Sequence, residues 1–226
     1  TTAFAALLAA VISPLLGAMA DFRGSKKKFL TVFMLLGVIA TALLFFPNQP
    51  GSWLIAAILF IFANIGFAGS LVYYDALLPH VARADEIDQV SSRGYMMGYF
   101  GGGILLAVNL VMIMVLPEVF PQLGKGLMTR LSFVTVALWW FGFTLPLLFK
   151  VKEPLRRIEE GEEDLHPIRA SLIRLKKTFL DLKKYRDLSL GLLAFWIYAN
   201  GIGTIITMAT IYGKELNFSD TTLIGT

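Results

Sequence analysis

The sequence predicts an all-α membrane protein that crosses a lipid bilayer six times. Of its 226 residues, 56% are hydrophobic and 16% are charged, whereas soluble domains have about 45–50% apolar and about 25% charged residues. Such an excess of apolar surface needs lipid as its solvent. The apolar residues are grouped into six stretches of about 20 residues, the length that a helix needs to cross a hydrocarbon core about 30 Å thick.

The six apolar stretches are taken in chain order as six spans. They cover residues 1–20, 29–46, 52 to between 71 and 78, 94–116, 127–149 and 188–212. The run from Pro47 to Gly51 separates spans two and three, and a second cluster of Pro and Gly separates spans four and five. Ser91 or Ser92 is expected to cap span four, because a serine oxygen accepts from the free N–H groups of a first helical turn.

Lysine and arginine are concentrated in every second connection between the spans. Connections one, three and five are rich in basic residues, and the even connections are poorer. Cytoplasmic loops collect Lys and Arg, so this alternation supports six crossings and predicts that residues 21–28, 79–93 and 150–187 are cytoplasmic. The chain has a net charge of +4, and its basic residues are expected to lie next to the membrane. The sequence contains no continuous basic face of the kind that binds nucleic acid.

The fifth connection is long and hydrophilic and divides the chain. The expected parts are most of a first helical bundle, a cytoplasmic linker and the start of a second bundle, at residues 1–149, 150–187 and 188–226. After Pro167, four apolar residues fall on one stripe at helical spacing, namely Leu172, Leu175, Phe179 and Leu182. Such a basic amphipathic helix either lies on the inner leaflet or packs on the cytoplasmic ends of the protein's own helices, and the pattern fits both.

The first connection carries the most informative motif. It reads Gly17-Ala18-Met19-Ala20-Asp21-Phe22-Arg23-Gly24-Ser25-Lys26-Lys27-Lys28. Gly24 allows a tight turn, and Asp21 can face the positive N-terminal end of a neighbouring helix. Arg23 and the lysines can pair with carboxylates or lipid phosphates. This charge cluster can lock two helix ends together and release them.

This motif resembles the loop between the second and third spans of major facilitator superfamily transporters, whose pattern is G-x-L-A-D-R-x-G-R-K. The positions that match it include Gly17, Asp21, Gly24 and Lys26. Three positions differ: Met19, Phe22 and Ser25, with Arg23 beside the second of them. The differences put the ion-pair partners in doubt. The resemblance implies that the loop helps to hold an outward-facing state by contacting the other half of the transporter.

Further segments resemble one branch of this superfamily, the branch related to the autophagy-linked vacuolar effluxers. They begin at Ser13, Asn64, Tyr73, Asp85 and Tyr198 and together extend the resemblance over nearly the whole chain. The resemblance implies two six-helix bundles around a central site near the midplane. The six spans then correspond to the second to seventh of twelve, with the first span missing.

The resemblance also implies a function. It implies a secondary active transporter that moves a small solute by alternating access, with amino acid efflux suggested by kinship. The expected partners are the lipid bilayer and a small solute, with no cofactor, and H⁺ is a candidate coupling ion. A monomer in the plasma membrane is expected.

Two functions other than transport are alternatives. An integral-membrane enzyme would use the cluster Asp75, His80, Asp85, Glu86 and Asp88, which lacks metal-ligand spacing. A receptor or scaffold would use the basic linker. No phosphate-binding loop of the type G-x-x-x-x-G-K-[ST] occurs, and the chain has no cysteine.

Small and polar residues within the spans give the candidate positions for movement and binding. Gly94, Gly98 and Gly102 recur at intervals of four and predict close helix packing, either static or sliding. Polar side chains inside a bilayer are costly unless they face the bundle interior. The candidates for the substrate path are Asn64, Tyr74, Asp75, Asn109, Trp196, Tyr198 and Asn200. Hydrogen bonding between helices without substrate is the alternative for each Asn, and a helix-end charge or a gate is the alternative for Asp75.

Overall fold

The fold is known from a computed structural model that describes Gly17 and residues 24–49, 51–154, 167–182 and 184–218. Within these residues the regular structure is helical and contains no strand, which confirms the all-α prediction. The chain divides into two compact units, Thr1–Ile173 and Arg174–Thr226. Predicted span one lies outside the described residues apart from the helical Gly17.

Six helices follow one another in the described part of the chain. They are α1 (Lys26–Leu43), α2 (Trp53–Val81), α3 (Ile87–Val119), α4 (Lys125–Lys150), α5 (Pro167–Leu182) and α6 (Arg186–Glu215). Four of them are long and apolar enough to cross a membrane: α2, α3, α4 and the part Arg186–Ile205 of α6. Because α1 begins with three lysines, its apolar part from Phe29 to Leu43 is about 22 Å long. The crossing of span two therefore stays a prediction.

The helix bounds differ from the predicted spans near the basic connections. Helix α2 continues to Val81, so His80 lies in its last turn and not in a loop as predicted. Helix α3 begins at Ile87 with Glu86 as its N-cap residue. Ser91 and Ser92 therefore lie inside α3, and the prediction that one of them caps it is wrong. Both helices therefore extend into polar residues, whose backbone N–H and C=O groups are hydrogen-bonded within the helix.

A tight core joins α1, α2 and α4. Leu30, Tyr73 and Leu77 are buried together. The Tyr73 ring stacks on Phe29 at 5.4 Å between centroids and lies 5.8 Å from the Phe33 ring. Aromatic pairs at these distances add to the stability that burial supplies. The core therefore fixes the ends of α1 and α2 that carry the basic residues.

Glycine allows α1 and α2 to touch along their backbones. A β carbon built at Gly66 would overlap the Gly37 nitrogen and lie 2.8 Å from the Phe33 carbonyl oxygen. A β carbon at Gly37 would overlap the Trp140 ring of α4, and one at Gly69 would overlap the Phe33 ring. Small residues at a helix interface permit such contact. We call Gly37, Gly66 and Gly69 the glycine contact.

Helix α3 is less closely held. It packs on α4, chiefly through a π-helical turn at Val111–Val115, and only weakly on α2. Apart from the local backbone of α3 and the adjacent residues, no atom of the described residues lies within 4 Å of a β carbon built at Gly98 or Gly102. At Gly94 the nearest such atom is the Tyr74 hydroxyl oxygen, at 3.4 Å. We call Gly98 and Gly102 the open glycine face. The predicted packing role of the three glycines stays a prediction.

The predicted amphipathic helix after Pro167 is present as α5. Ile168 and Leu172 are about half exposed on it. Near its end, Lys184 donates to Asp181 at 2.7 Å, and this hydrogen bond holds the pKa of Asp181 below its usual range. Ser189 of α6 donates to the Leu182 carbonyl oxygen at 2.7 Å. Both interpretations of α5, on the leaflet or on the protein, stay open.

Candidate functional site: the basic ends of the helices

The first-connection motif leads directly into α1. Gly24 has φ 61°, a left-handed conformation that favours glycine, and α1 begins two residues later. The β carbon position of Gly17 lies 3.9 Å from Val72 of α2. Asp21 and Arg23 lie outside the described residues. Of the charged residues that are predicted to take part in gating, the structure describes Lys26 and Lys27.

Lys26 joins the start of α1 to the end of α2. Its Nζ atom donates to the Ala76 carbonyl oxygen at 3.2 Å and lies 3.2 Å from His80 Nε2. A lysine ammonium is a donor only, so a hydrogen bond between the two requires that His80 Nε2 accepts it. A cation at the C-terminal end of a helix also opposes the negative end of the helix dipole. Lys26 thus stabilises the end of α2.

Glu153 joins the same end of α1 to the segment that follows α4. Its Oε1 atom accepts from the Lys27 backbone N–H at 2.9 Å. The first N–H groups of a helix have no partner within the helix, and a carboxylate there also favours the positive end of the dipole. We call Lys26, Lys27, Ala76, His80 and Glu153 the basic-end cluster. It ties three helices together through charged hydrogen bonds.

The three candidate asparagines have different surroundings. Thr135 of α4 donates through its hydroxyl group, which lies 2.7 Å from Asn109 Oδ1 of α3 and 2.8 Å from the Ser132 carbonyl oxygen. Asn64 and Asn200 donate to carbonyl oxygens of their own helices, at 2.7 and 2.8 Å. Among the bonds between described residues, the one to Asn109 is therefore the one of the three that joins two helices. Substrate contact by any of them stays a prediction.

The other candidates for the substrate path are exposed. Tyr74 and Asp75 are exposed near the basic end of α2, and Trp196 and Tyr198 are exposed on α6, in the other compact unit. In the described ranges, no group of three or more His, Cys, Asp or Glu residues could hold a metal ion.

The structure also uses residues that the sequence prediction missed. From the sequence, Glu153 is predicted only to belong to the linker, and no sequence signal places Thr135 opposite Asn109. The glycine contact was missed as well, because its members lie on two different helices. The spacing Gly66-x-x-Gly69 was the one local signal for it, since residues three apart share a helix face.

Several long apolar helices joined by polar contacts define a multi-pass α-helical membrane protein. The whole chain, residues 1–226, matches the family described as "Vacuole effluxer Atg22 like". The chain belongs to this family, which confirms the branch predicted from the sequence.

Individual relatives agree with the family match. The chain is 35% identical over 225 residues to the "Uncharacterized MFS-type transporter YxiO" of Bacillus subtilis (strain 168). The alignment covers 99% of this chain and 51% of that protein. It is 24% identical over 294 residues to "Autophagy-related protein 22-1" of Penicillium rubens, covering 99% and 48% of the two chains. The chain thus spans about half the length of the curated relatives it matches. No solved structure matches it.

Proposed function

We propose that this chain forms part of a secondary active transporter that moves a small solute across a membrane by alternating access. Family membership and the apolar helices support this proposal. In such proteins two helical bundles rock against each other about a site near the midplane. The names of the relatives, one an MFS-type transporter, favour transport over catalysis.

The observation that carries the proposal is the basic-end cluster. Lys26 and Lys27 belong to the motif that resembles the superfamily's gating loop. Lys26 contacts α2, and Lys27 donates to Glu153 in the segment that follows α4. Exposed charged hydrogen bonds are individually weak, so contacts of this type can be remade when a neighbouring bundle moves. Asp21 and Arg23 of the same motif are proposed to contact the other bundle and to stabilise the outward-facing state.

The remaining parts of the proposal go beyond the family match. The solute is proposed to be an amino acid moved by efflux, H⁺ the coupling ion, and the transporter a monomer in the plasma membrane. Residues 21–28, 79–93 and 150–187 are proposed to face the cytoplasm. The positions of the basic residues support this orientation.

Flux measurements on the full-length protein test the proposal. Purified protein in proteoliposomes should transport at least one radiolabelled amino acid when a proton or sodium gradient is imposed to drive the transport. Asp21→Asn should slow this flux without reducing membrane insertion, and Asp88→Asn, a change at an exposed acid outside the motif, should not. No flux of any solute in a broad panel under either gradient would contradict the proposal.

A further inference from the structure

One side of the linker helix α5 exposes apolar and basic residues together. Helix α5 is one continuous helix over Pro167–Leu182, and successive residues of a helix are about 100° apart around its axis. Six exposed residues therefore share one arc of about 140°. In order around the helix they are Ile168, Leu172, Lys176, Arg169, Leu180 and Ile173. We call this arc the linker face.

The linker face differs from the other side of the same helix. On the other side, Ala170 and Ser171 are 0% exposed, so the protein itself covers them. The apolar residues of the linker face are instead 45–54% exposed. Asp181, the acidic residue of α5, lies outside the linker face and accepts from Lys184 at 2.7 Å. The linker face thus combines two cations and four apolar side chains without an acidic residue.

The end of α5 is held at the start of a helix that can cross a membrane. The apolar part of α6 begins at Arg186. Ser189 donates to the Leu182 carbonyl oxygen at 2.7 Å, although residues seven apart in a continuous helix are about 10 Å apart along its axis. The chain therefore bends between α5 and α6, and Tyr185 has the non-helical angles φ −110° and ψ 85° there. Because its basic residues disfavour the hydrocarbon core, the end of α5 is expected to lie at the membrane surface.

An anionic lipid surface matches the chemistry of the linker face. Basic residues near a membrane are attracted to anionic headgroups, and an amphipathic helix buries its apolar side chains at the boundary between headgroups and acyl chains. The side chains of Arg169 and Lys176 have long apolar stems, so their charged ends can reach phosphates while the stems lie along apolar neighbours. The surface that offers both phosphates and acyl chains is the leaflet next to the first turn of α6.

We propose that the linker face binds anionic phospholipids of the leaflet in which α6 begins. Arg169 and Lys176 contact the lipid phosphates, and the four apolar residues enter the boundary between headgroups and acyl chains. The inference goes beyond the proposed transport function and does not depend on it, since it needs only that α6 crosses a membrane. The linker is then attached to the bilayer on one side and covered by the protein on the other.

Fluorescence of a bimane-labelled cysteine in the full-length protein tests this contact. Leu172→Cys places the label on the linker face, after any cysteine outside this chain is replaced by serine. The protein is reconstituted with a phosphatidylcholine that carries a nitroxide near the top of its acyl chain, which quenches a label in contact with lipid. The label should be strongly quenched in equal parts of phosphatidylglycerol and phosphatidylcholine, and much less in phosphatidylcholine alone.

Variants of the two cations test the role of charge in the Leu172→Cys protein. Arg169→Gln with Lys176→Gln should lower the ratio of quenched to unquenched label by about 20- to 30-fold, because each basic residue near an anionic surface contributes about 1 kcal/mol, or about fivefold. Arg169→Lys with Lys176→Arg retains both charges and should be quenched like the parent. If the neutral double variant does not fold, Lys176→Gln alone should lower the ratio about fivefold.

Thr178→Cys is the matched control position. Thr178 is also exposed but lies about 120° around the helix from Leu172, so its label should show little quenching in either bilayer. Equal quenching of Leu172→Cys in the two bilayers would overturn the proposal, as would equal quenching at the two positions. Blue-shifted emission at Leu172→Cys without quenching would also overturn it, because the linker face would then pack on protein, either its own or a second copy.

Discussion

Two groups of glycines in this protein have opposite surroundings. At the glycine contact, the backbones of α1 and α2 touch through Gly37 and Gly66, and a side chain at either position would overlap a neighbour. On the open glycine face of α3, a side chain at Gly98 or Gly102 would meet nothing among the described residues. The same residue type thus permits a close contact between α1 and α2, whereas on α3 it faces none of the described residues.

The difference separates a closely packed part of the protein from a part whose glycines face none of the described residues. The closely packed part is α1 and α2 with α4, held by the glycine contact, the aromatic core and the basic-end cluster. The other part is the face of α3 with Gly98 and Gly102. In a transporter that works by rocking, the first would move as one body, and the second would meet a partner that changes between states.

The largest effect is expected at the centre of the glycine contact. Gly66→Val should destabilise the protein by about 3 kcal/mol, the upper end for overpacking, because the backbone of α1 cannot move aside like a side chain. Gly66→Ala should also destabilise the protein, but by less than Gly66→Val. The midpoint temperature for loss of the monodisperse peak in detergent measures both. A wild-type midpoint for Gly66→Val would show that α1 and α2 do not touch there.

A smaller loss of stability is expected for a substitution at Gly37, because the group that a β carbon would overlap there is mainly the side chain of Trp140. Gly37→Ala should destabilise the protein by about 1–2 kcal/mol, because its methyl group would overlap the Trp140 ring. Trp140→Leu should remove most of this cost, giving a coupling of about 1 kcal/mol in a double-mutant cycle. Additive effects of the two substitutions would contradict the contact between α1 and α4.

The hydrogen bond between α3 and α4 should have an effect smaller still. Thr135→Val removes the donor to Asn109 and should cost about 0.6 kcal/mol, the mean for hydrogen bonds between membrane helices. Thr144→Val is the matched control, since Thr144 donates to Trp140 of its own helix at 2.8 Å. Thermal midpoints that fall equally for both variants would show that the bond to Asn109 adds nothing.

The sign of the effect should reverse on the open glycine face. Gly102→Ala should not destabilise the protein. It should stabilise it by up to about 1 kcal/mol, because alanine has a better helix propensity than glycine. Flux by this variant then tests whether the face moves against a partner. A lower midpoint for Gly102→Ala would mean that the face is closely packed in the full-length protein, and the comparison would fail.

The sequence was sufficient to predict the helices but not their contacts. Apolar length predicted α2, α3, α4 and α6 because each needs lipid around most of its surface, and the stripe after Pro167 predicted α5. The prediction of Ser91 or Ser92 as a cap failed because the helix continues into polar residues as long as its backbone bonds are satisfied.

The contacts between helices depend on pairs of residues that are far apart in the chain. Gly37 and Gly66 are recognisable as a pair only when α1 and α2 are aligned, and the spacing of glycines within α3 gave no indication of its open surroundings. Glu153 likewise follows a different helix from the one whose N–H group it accepts. The π-helical turn at Val111–Val115 contains only apolar residues, so no local signal indicates it.

The most direct test of the comparison is single-cysteine labelling in the full-length protein. This chain has no cysteine of its own, and any cysteine outside it would first be replaced by serine. Ala40→Cys places a thiol at a position that is 4% exposed on α1, and Gly98→Cys places one on the open glycine face. We expect a water-soluble maleimide to label Gly98→Cys at clearly different rates under opposite proton gradients and to label Ala40→Cys slowly under both. A gradient-dependent rate at Ala40→Cys, together with a constant rate at Gly98→Cys, would contradict the account.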